Sequence, residues 1–406
     1  MRATTTEPPL PKTATNAARL AMFWFGIQAV WGAVLGISLQ ARCLDLAGSA
    51  SVATYGRISI LGALAAGIVQ LLAGPASDVR RRIGERRIFF YVVGACGAAV
   101  SLFALYDATN VETLLLAYVA LQATMNVAIG PYQAIVPDFV ERDRIGAASG
   151  WIAIMQSTGN AVGAILASTI AQRLETAGAL ATILLGSALA TVAPLRRRAL
   201  QPLVAHERVV ASRTLVDLFI SRAFVYLGFY ALLGYFYFYV NTFTLPAGLS
   251  VTTASGIGIL LFTIVGALGA MLAARPADRL DERLVVTIGG GVLTLSIGAL
   301  CVAHTLGAVM AFVAFAGIGW GIFLCADWAL ACRLLPPAAL ATTMAIWNIA
   351  VIGPQILAPL IATTILNVSG LIATVHAPRV AFMLAGAEVL IGVLWIWRLS
   401  RGSVGK

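Results

Sequence analysis

Twelve apolar runs follow one another along the chain, with short polar segments between them. Most of the runs are close to the roughly 20 residues that an α-helix needs to cross the hydrocarbon core of a bilayer. The longer runs indicate tilted helices. We therefore predict an all-α membrane protein with twelve transmembrane helices, at residues 18–40, 54–74, 88–106, 113–137, 146–171, 178–195, 215–243, 253–274, 284–303, 307–332, 340–367 and 379–397.

The twelve predicted helices fall into two sets of six. Segments of the first set are echoed in the second, since GPASDVRRRIGERR follows the second helix and AARPADRLDERL follows the eighth. Internal repetition of this kind is typical of transporters. The sequence predicts two pseudo-symmetric six-helix halves, 18–195 and 215–398. They are joined by a cytoplasmic loop, 196–214, and flanked by a disordered cytoplasmic tail, 1–17, and a second cytoplasmic tail, 399–406.

Composition excludes a water-soluble domain, because 60% of the residues are hydrophobic and only 11% are charged. The net charge of +10 fits the positive-inside rule. If the N-terminus is cytoplasmic and the helices alternate in direction, all but four of the 27 Lys and Arg fall on the cytoplasmic side; the exceptions are Arg42, Arg57, Arg173 and Arg379. We predict a multi-pass protein of the inner (plasma) membrane with both termini cytoplasmic. The sequence contains no basic patch with interleaved aromatic residues, so we expect no nucleic-acid partner.

Motifs for catalysis and for metal binding are absent from the sequence. It contains no HExxH, GxSxG or Walker A motif, and its five cysteines form no CxxC. We expect neither an enzyme nor an ATP-driven pump, and neither a metal nor a cofactor. The cysteines are interpreted as buried free thiols.

Polar and aromatic side chains recur at helical spacing in the first, fourth, seventh and tenth runs, and pairs of amides lie in the fifth and eleventh. Polar groups in lipid are costly unless they are paired or face water. Each set therefore indicates either hydrogen bonding between helices or a solvated central cavity, and four sets in register favour the cavity. The candidate cavity residues are Gln28, Trp31, Asn126, Gln133, Tyr230, Trp328, Asn348 and Gln355.

Two carboxylates lie inside predicted helices of the second half, more than one turn from either end. Asp327 is near the end of the tenth run, where it is a candidate proton relay or the partner of Arg333 in a structural ion pair. Glu388 is in the middle of the twelfth run, and structural pairing or protonation is the favoured interpretation there.

Two further carboxylates, Asp78 and Asp278, lie at the cytoplasmic ends of the second and eighth helices. Each precedes arginines and can bond either a nearby Arg or the N-terminus of a neighbouring helix. Such bonds either anchor the topology or form a latch that opens and closes as two halves rock. The gating candidates are Asp78, Arg82, Arg86, Asp278 and Arg279.

GPASDVRRRIGERR and PADRLDER resemble the loops that follow the second and eighth helices in the major facilitator superfamily. VQLLAGPASDVRRRIGERRIFF, GPYQAIVPDF and MAIWNIAVIGPQ are similar to stretches of its sucrose/proton symporters and of its glycoside–pentoside–hexuronide branch. The resemblance implies the major facilitator fold, and it implies that Asp138 takes part in transport as a proton-coupling residue beside Asp327. The second helix lacks the acidic residues of the sodium-coupled melibiose carriers.

The function expected from these observations is secondary active transport by alternating access, as proton-coupled uptake of a small polar solute such as a sugar or glycoside. The expected partners are that solute, protons and membrane lipid, and the chain is expected to be a monomer. Two alternatives stay open: a proton-driven exporter of amphipathic compounds, and a membrane receptor or assembly factor that transports nothing.

Overall fold

The computed structural model describes residues 14–82, 87–132, 145–195, 213–334, 340–372 and 374–399. The chain in these ranges folds into twelve helices. Helix α1 is a continuous rod made of an α-helix, Ala14–Ala33, a π-helical turn, Val34–Ser38, and a second α-helical part, Leu39–Ala47. The others are α2 Ser51–Arg82, α3 Ile88–Asp107, α4 Val111–Tyr132, α5 Ile145–Thr169, α6 Arg173–Leu195, α7 Arg213–Val240, α8 Val251–Arg279, α9 Glu282–Cys301, α10 Leu306–Leu334, α11 Leu340–Val368 and α12 Ala377–Trp395.

These helices are built to cross a membrane. Within the described ranges, ten helices are long and apolar enough to do so, and the first of them, Ala18–Gly74, takes in both α1 and α2. These two meet at the turn Gly48–Ala50, where Gly48 has a φ of 53° that favours glycine. Because that first one contains two helices, the ten account for eleven of the twelve helices. The twelfth is the apolar helix α5, which is 25 residues long. Large apolar side chains such as Leu72 and Met271 face outward, as lipid contact requires. The predicted all-α membrane fold is confirmed.

Because successive helices run in opposite directions, the bundle has two faces. We call the face that holds the start of α1 and the end of α12 the terminal face, and the other face the distal face. Short turns close the distal face between α1 and α2, between α3 and α4, and between α5 and α6. The positive-inside rule predicts that the terminal face is cytoplasmic.

The two halves pack in matching ways. In the first half, α4 packs against α2 and α3, and α6 packs against α1 and α3. In the second half, α10 packs against α8 and α9, and α12 packs against α7 and α9. The halves meet where α2 lies along α11 and where α5 lies along α8, which are equivalent pairs under the same symmetry. The repeat detected in the sequence therefore corresponds to a structural repeat.

Glycines allow helices within each half to approach closely. A methyl group at Gly163 of α5 would collide with the backbone of Ala29 in α1, and one at Gly321 of α10 would collide with the backbone of Gly266 in α8. Small residues at helix contacts are a common feature of membrane proteins, because lipid supplies no hydrophobic driving force between helices.

The π-helical turn of α1 lies against both halves. Its residues contact α5 in the first half and α7 and α8 in the second. The side chain of Gln40, which is fully buried, donates from Nε2 to the carbonyl of Leu35 at 2.5 Å and to the carbonyl of Gly234 in α7 at 3.5 Å. A carbonyl freed by the turn thus receives a side-chain donor.

Three details of the prediction change. Helix α1 begins at Ala14, inside the predicted tail 1–17. The first 13 residues of that tail, and most of the predicted loop 196–214, lie outside the described residues. The predicted tail 399–406 begins with a buried residue, Leu399, and the carbonyl of this residue accepts from Arg283 Nη1 at 2.8 Å. Cys96 faces outward rather than inward, since an apolar thiol is tolerated on a lipid-facing surface.

Candidate functional site

A buried ion pair joins α7 to α10 in the second half. Arg222 of α7 donates from Nη1 to Asp327 Oδ2 of α10, and these residues are only 4% and 2% exposed. Arg222 Nη2 also donates to the hydroxyl of Tyr226 at 3.2 Å, and its guanidinium lies 4.7 Å from the centre of the Tyr226 ring. Two opposite charges that neutralise each other can be buried at a depth where either one alone is very costly.

An aromatic cluster extends from this pair toward the middle of the bundle. It consists of Tyr226, Phe229, Tyr230, Phe262, Trp320 and Phe323, from α7, α8 and α10. The rings of Phe229 and Trp320 are stacked at 4.1 Å and 8°. The Tyr226 ring lies 5.1 Å from that of Trp320 and so links the charged pair to the stacked rings. The arrangement is an apolar aromatic patch with a charged pair at one end.

Contacts between the halves close the distal face. Tyr55 of α2 packs edge to face against Tyr235 and Phe238 of α7, with ring centres 5.9 and 5.6 Å apart. Within the second half, the Tyr235 hydroxyl is 3.2 Å from that of Thr363 in α11, which holds the Tyr235 side chain in place. The Thr253 hydroxyl of α8 donates to the Ser168 carbonyl of α5, also at 3.2 Å. We call Tyr55, Tyr235, Phe238 and Thr363 the distal gate.

The distal gate and the ion pair lie on the same helix, α7. Thirteen residues separate Arg222 from Tyr235, which corresponds to about 20 Å along an α-helix. The aromatic cluster lies between them. A solute held against the cluster would therefore sit between the distal gate and the charged pair, near mid-depth, where transporters commonly bind their substrates.

The structure places several predicted site residues in the interior. Asp327 is buried in the ion pair, and Tyr230 belongs to the aromatic cluster. Asn126 is buried and donates to the Gln122 carbonyl of its own helix at 2.8 Å, a bond that uses one of the two N–H groups of its amide. Gln28, Trp31 and Gln355 are half-buried, and Gln28 and Trp31 share one face of α1.

Other predicted residues cannot be placed by their side chains. Asp138, Gln133 and Arg86 lie outside the described residues. For six more, the structure describes the helical backbone only: Trp328 on α10, Asn348 on α11, Asp78 and Arg82 on α2, and Asp278 and Arg279 on α8. Their assignments as coupling, cavity and gating residues stay predictions.

Arg222 is the site residue that sequence reasoning missed. The positive-inside pattern assigns it to the cytoplasmic side with 22 other Lys and Arg, and the sequence suggests Arg333 as the partner of Asp327. In the structure Arg222 is instead buried within α7, where it forms an ion pair with Asp327. A signal was present in the sequence, since Arg222 lies more than two turns inside the apolar helix Arg213–Val240. An arginine at that depth needs a counter-charge.

Glu388 of α12 is another buried carboxylate of the second half. It is 9% exposed, and its Oε2 has no hydrogen-bond partner among the described residues. Helix α12 packs on α7 and α9, the side of the second half away from the first. Glu388 therefore lies apart from the contacts between the halves.

Two six-helix halves that meet through equivalent helices, with a buried charged pair in one of them, define a multi-pass membrane protein with a transporter fold. The family model of the Major Facilitator Superfamily matches residues 14–359. The chain belongs to the Major Facilitator Superfamily. No curated protein matches it.

Solved structures of transporters share the fold. A bacterial homologue of the human lysosomal transporter Spinster, in an inward-facing and occupied conformation, is 15% identical with a TM-score of 0.69, and the match covers 96% of both chains. The nucleoside transporter NupG is 13% identical with a TM-score of 0.68, over 96% of this chain and 99% of its own. An auto-inhibited peptide transporter of the POT family is 11% identical with a TM-score of 0.72, over 96% and 98%.

Proposed function

We propose that this chain is a secondary active transporter that works by alternating access and takes up a small polar solute, such as a sugar or glycoside, together with protons. The observation that carries the proposal is the buried pair of Arg222 and Asp327 beside the aromatic cluster. The sequence resemblance to sucrose/proton symporters supports the choice of solute and of coupling ion.

Asp327 is the proposed carrier of the coupling proton. When its carboxylate takes up a proton, the charge-assisted bond to Arg222 is lost, and the guanidinium becomes free to donate to a solute. Proton binding and solute binding then act on the same contacts, which is the condition for coupling two ligands. Asp138 is proposed as a second coupling residue on the strength of the sequence resemblance alone.

The aromatic cluster is the proposed surface for the solute. The ring of a sugar can pack against the accessible parts of the half-buried Phe229 and Trp320, which stack on each other, while amide side chains bond its hydroxyls. The proposed contacts beyond these rings are Gln28, Trp31, Asn126, Gln133, Tyr230, Trp328, Asn348 and Gln355. Asn126 is the weakest of them, because its amide already donates within its own helix.

The proposed topology places the terminal face in the cytoplasm, with both termini inside the cell. The distal gate then closes the outer side. Asp78, Arg82, Arg86, Asp278 and Arg279 are proposed to form and break bonds at the cytoplasmic side as the halves move. The protein is proposed to work as a monomer.

One observation favours a second function. The aromatic cluster has six rings and a stacked pair, a surface that also suits flat amphipathic molecules. In this alternative the protein exports such compounds in exchange for protons, and Asp327 keeps its role as the proton carrier.

The test uses purified protein in liposomes that contain a pH-sensitive dye. A panel of sugars and glycosides is added outside. We expect acidification inside with at least one solute in the wild type, and none with Asp327→Asn. The matched control is Glu388→Gln, which makes the same change at a buried carboxylate away from the contacts between the halves.

Each outcome has a clear meaning. If Asp327→Asn acidifies the liposomes as the wild type does, Asp327 is not the proton carrier. If no sugar or glycoside gives a signal while amphipathic compounds drive protons out, the exporter is the correct function. Solute exchange without a proton gradient shows whether each variant is folded.

A further inference from the structure

Arg222 stays positively charged throughout the transport cycle. A guanidinium group does not lose its proton in proteins, and this one is only 4% exposed. Its counter-charge is the carboxylate of Asp327, to which Nη1 donates. In the proposed function a proton neutralises that carboxylate. Arg222 is then a buried cation whose counter-charge has been removed, which is strongly unfavourable unless another anion takes its place.

Two contacts of Arg222 do not depend on the charge of Asp327. Nη2 donates to the hydroxyl of Tyr226 at 3.2 Å, and the guanidinium lies 4.7 Å from the centre of the Tyr226 ring. A neutral phenol and its aromatic ring hold a cation in position but do not neutralise it. Tyr226 therefore keeps the guanidinium oriented, and Nη1 is the donor that protonation of Asp327 releases.

Glu388 of α12 is not placed to become the new counter-charge. Helix α12 packs on the face of α7 that holds Ser221, whose hydroxyl donates to the Gly392 carbonyl at 2.7 Å. Arg222 follows Ser221 in the helix and so points about 100° away from it, toward α10. Glu388 and Asp327 therefore lie on helices that pack on different faces of α7.

The other ionisable groups of the surrounding helices do not supply an anion at this depth. Phenols and thiols, such as Tyr230 of α7 and Cys325 of α10, do not serve as anions in an apolar interior. Asp217 accepts from Trp395 near the terminal face, and Asp45 of α1 forms its ion pairs on the distal face. By sequence, α11 contains no ionisable residue, and those of α8 and α9 are confined to the ends of these helices.

The aromatic cluster adjoins the guanidinium through the Tyr226 ring, which lies 5.1 Å from that of Trp320. Phe229, Tyr230 and Trp320 are half-buried, so parts of these rings are accessible. We propose that the transported solute is a small monoanion. Its carboxylate takes the place of the Asp327 carboxylate on Arg222, and its body packs against the accessible parts of the aromatic cluster. This inference rests on the proposed function and names the substrate class of the same site.

Charge balance selects a monoanion. With one proton on Asp327 and one carboxylate on Arg222, the occupied site has the same net charge as the ion pair of the empty site. A neutral sugar would leave the buried guanidinium without an anion, and a dianion would bury one negative charge too many. Solute and proton therefore cross the membrane together with no net transfer of charge.

Calorimetric titration of the detergent-purified full chain tests the preference for an anion. The probes are two matched pairs, glucuronate with glucose and benzoate with benzamide, and the members of a pair differ in the charged group. In at least one pair the carboxylate should bind roughly tenfold or more tightly than its neutral partner.

The same titrations test the link to Asp327. The affinity for the carboxylate should fall by up to about tenfold per unit of pH as the pH rises, because binding requires a proton on Asp327. Heats measured in buffers of different ionisation enthalpy should show that binding takes up about one proton.

Three variants locate the charges. Asp327→Asn is neutral at every pH, so its affinity for the carboxylate should not change with pH and its binding should take up no proton. Arg222→Gln/Asp327→Asn removes both buried charges and should bind the carboxylate no more tightly than the neutral partner. Glu388→Gln is the matched control and should keep the pH dependence and the proton uptake of the wild type.

Flux in liposomes separates the choice of solute from the proposed function. The carboxylate that binds is added outside, protein-free liposomes give its passive leak, and potassium with valinomycin sets the membrane potential. Proton uptake with this carboxylate should not depend on the potential. Symport of a neutral sugar with a proton would carry positive charge inward and would speed up when the inside is negative.

Each result supports or overturns the monoanion. A neutral solute that drives protons inward in a voltage-dependent manner would leave the proposed function standing and overturn the monoanion. Binding of a carboxylate linked to pH, with no proton flux from any solute, would support the anion site and overturn the transport function. Three further results would overturn the monoanion: no carboxylate binds more tightly than its neutral partner, the double variant keeps the preference, or Glu388→Gln loses the proton uptake.

Discussion

Arg222 and Asp327 are 105 positions apart in the chain and form a buried ion pair between α7 and α10. Each residue makes the burial of the other tolerable, because an unpaired charge at that depth is strongly disfavoured. The pair is therefore a stability element as well as the proposed coupling site, and these two roles can be separated by experiment.

Removal of one member of the pair should destabilise the protein more than removal of both. Arg222→Gln leaves Asp327 buried without its counter-charge, and we expect a loss of about 3–5 kcal/mol in the free energy of unfolding. The double variant Arg222→Gln/Asp327→Asn should recover much of this loss. The measurement is a double-mutant cycle by thermal or denaturant unfolding in detergent, and strictly additive effects would contradict the pairing.

Loss of the stacked ring at Trp320 should weaken solute binding. Trp320→Ala removes a ring that is proposed to contact the solute and that also holds Phe229 in place at 4.1 Å, and one aromatic contact contributes about 0.5–1.5 kcal/mol beyond its buried area. We expect KM to rise several-fold with a smaller change in kcat. Trp395→Phe is the control, since Trp395 bonds Asp217 near the terminal face. Similar KM values in both variants would place the solute elsewhere.

The distal gate should loosen when a ring contact between the halves is removed. Tyr235→Leu deletes the edge-to-face contact with Tyr55 of α2 and should shift the balance toward a distally open state by about 0.5–1.5 kcal/mol. Spin labels at Ser49→Cys and Ser369→Cys, both exposed on the distal face, report the separation of the halves.

Tyr106→Leu is the control for the distal gate. It makes the same change at a buried tyrosine whose hydroxyl bond, of 2.6 Å to Ser38, lies within the first half. The distance between the labels should lengthen in Tyr235→Leu only. An unchanged distance in both variants would remove Tyr235 from the gate.

Gly321 should not tolerate a methyl group. Its Cβ would collide with the backbone of Gly266 and Ala270 in α8, so the two helices would have to separate. We expect Gly321→Ala to lower stability by about 1–3 kcal/mol and to reduce Tm. Gly298→Ala is the matched control, because a Cβ there meets nothing within 4 Å. A Tm as high as that of the wild type for Gly321→Ala would contradict the close approach.

The fold was largely predictable because a bilayer imposes a simple rule on the sequence. Each helix that crosses it needs one apolar run, and the third run, predicted at 88–106, is found at Ile88–Asp107. The start of α6 was placed five residues late, since its first turn contains Arg173 and Glu175 and is not apolar. Hydropathy detects the lipid-exposed length of a helix and not its polar ends.

The site was less predictable, because it depends on contacts between helices that are distant in sequence. Spacing along α10 identified Asp327 as exceptional, but it could not reveal a partner in α7. The same limit applies to Asn126, where spacing suggested a cavity residue and the structure shows an amide bonded to its own helix. Helical spacing predicts which face of a helix a side chain is on, but it does not predict which residues of other helices that side chain contacts.

The π-helical turn in α1 shifts the angular register between the two α-helical parts of this helix. A π turn holds one residue more than an α turn, so the two α-helical parts of α1 are out of phase by about 100°. Deletion of a single residue between Val34 and Ser38 would restore an unbroken α-helix and rotate Gln28 and Trp31 relative to Arg42. The side chain of Gln40 donates to the Leu35 carbonyl, which the π turn leaves without its usual backbone donor. One residue of chain length therefore sets which side chains of α1 face the partner half.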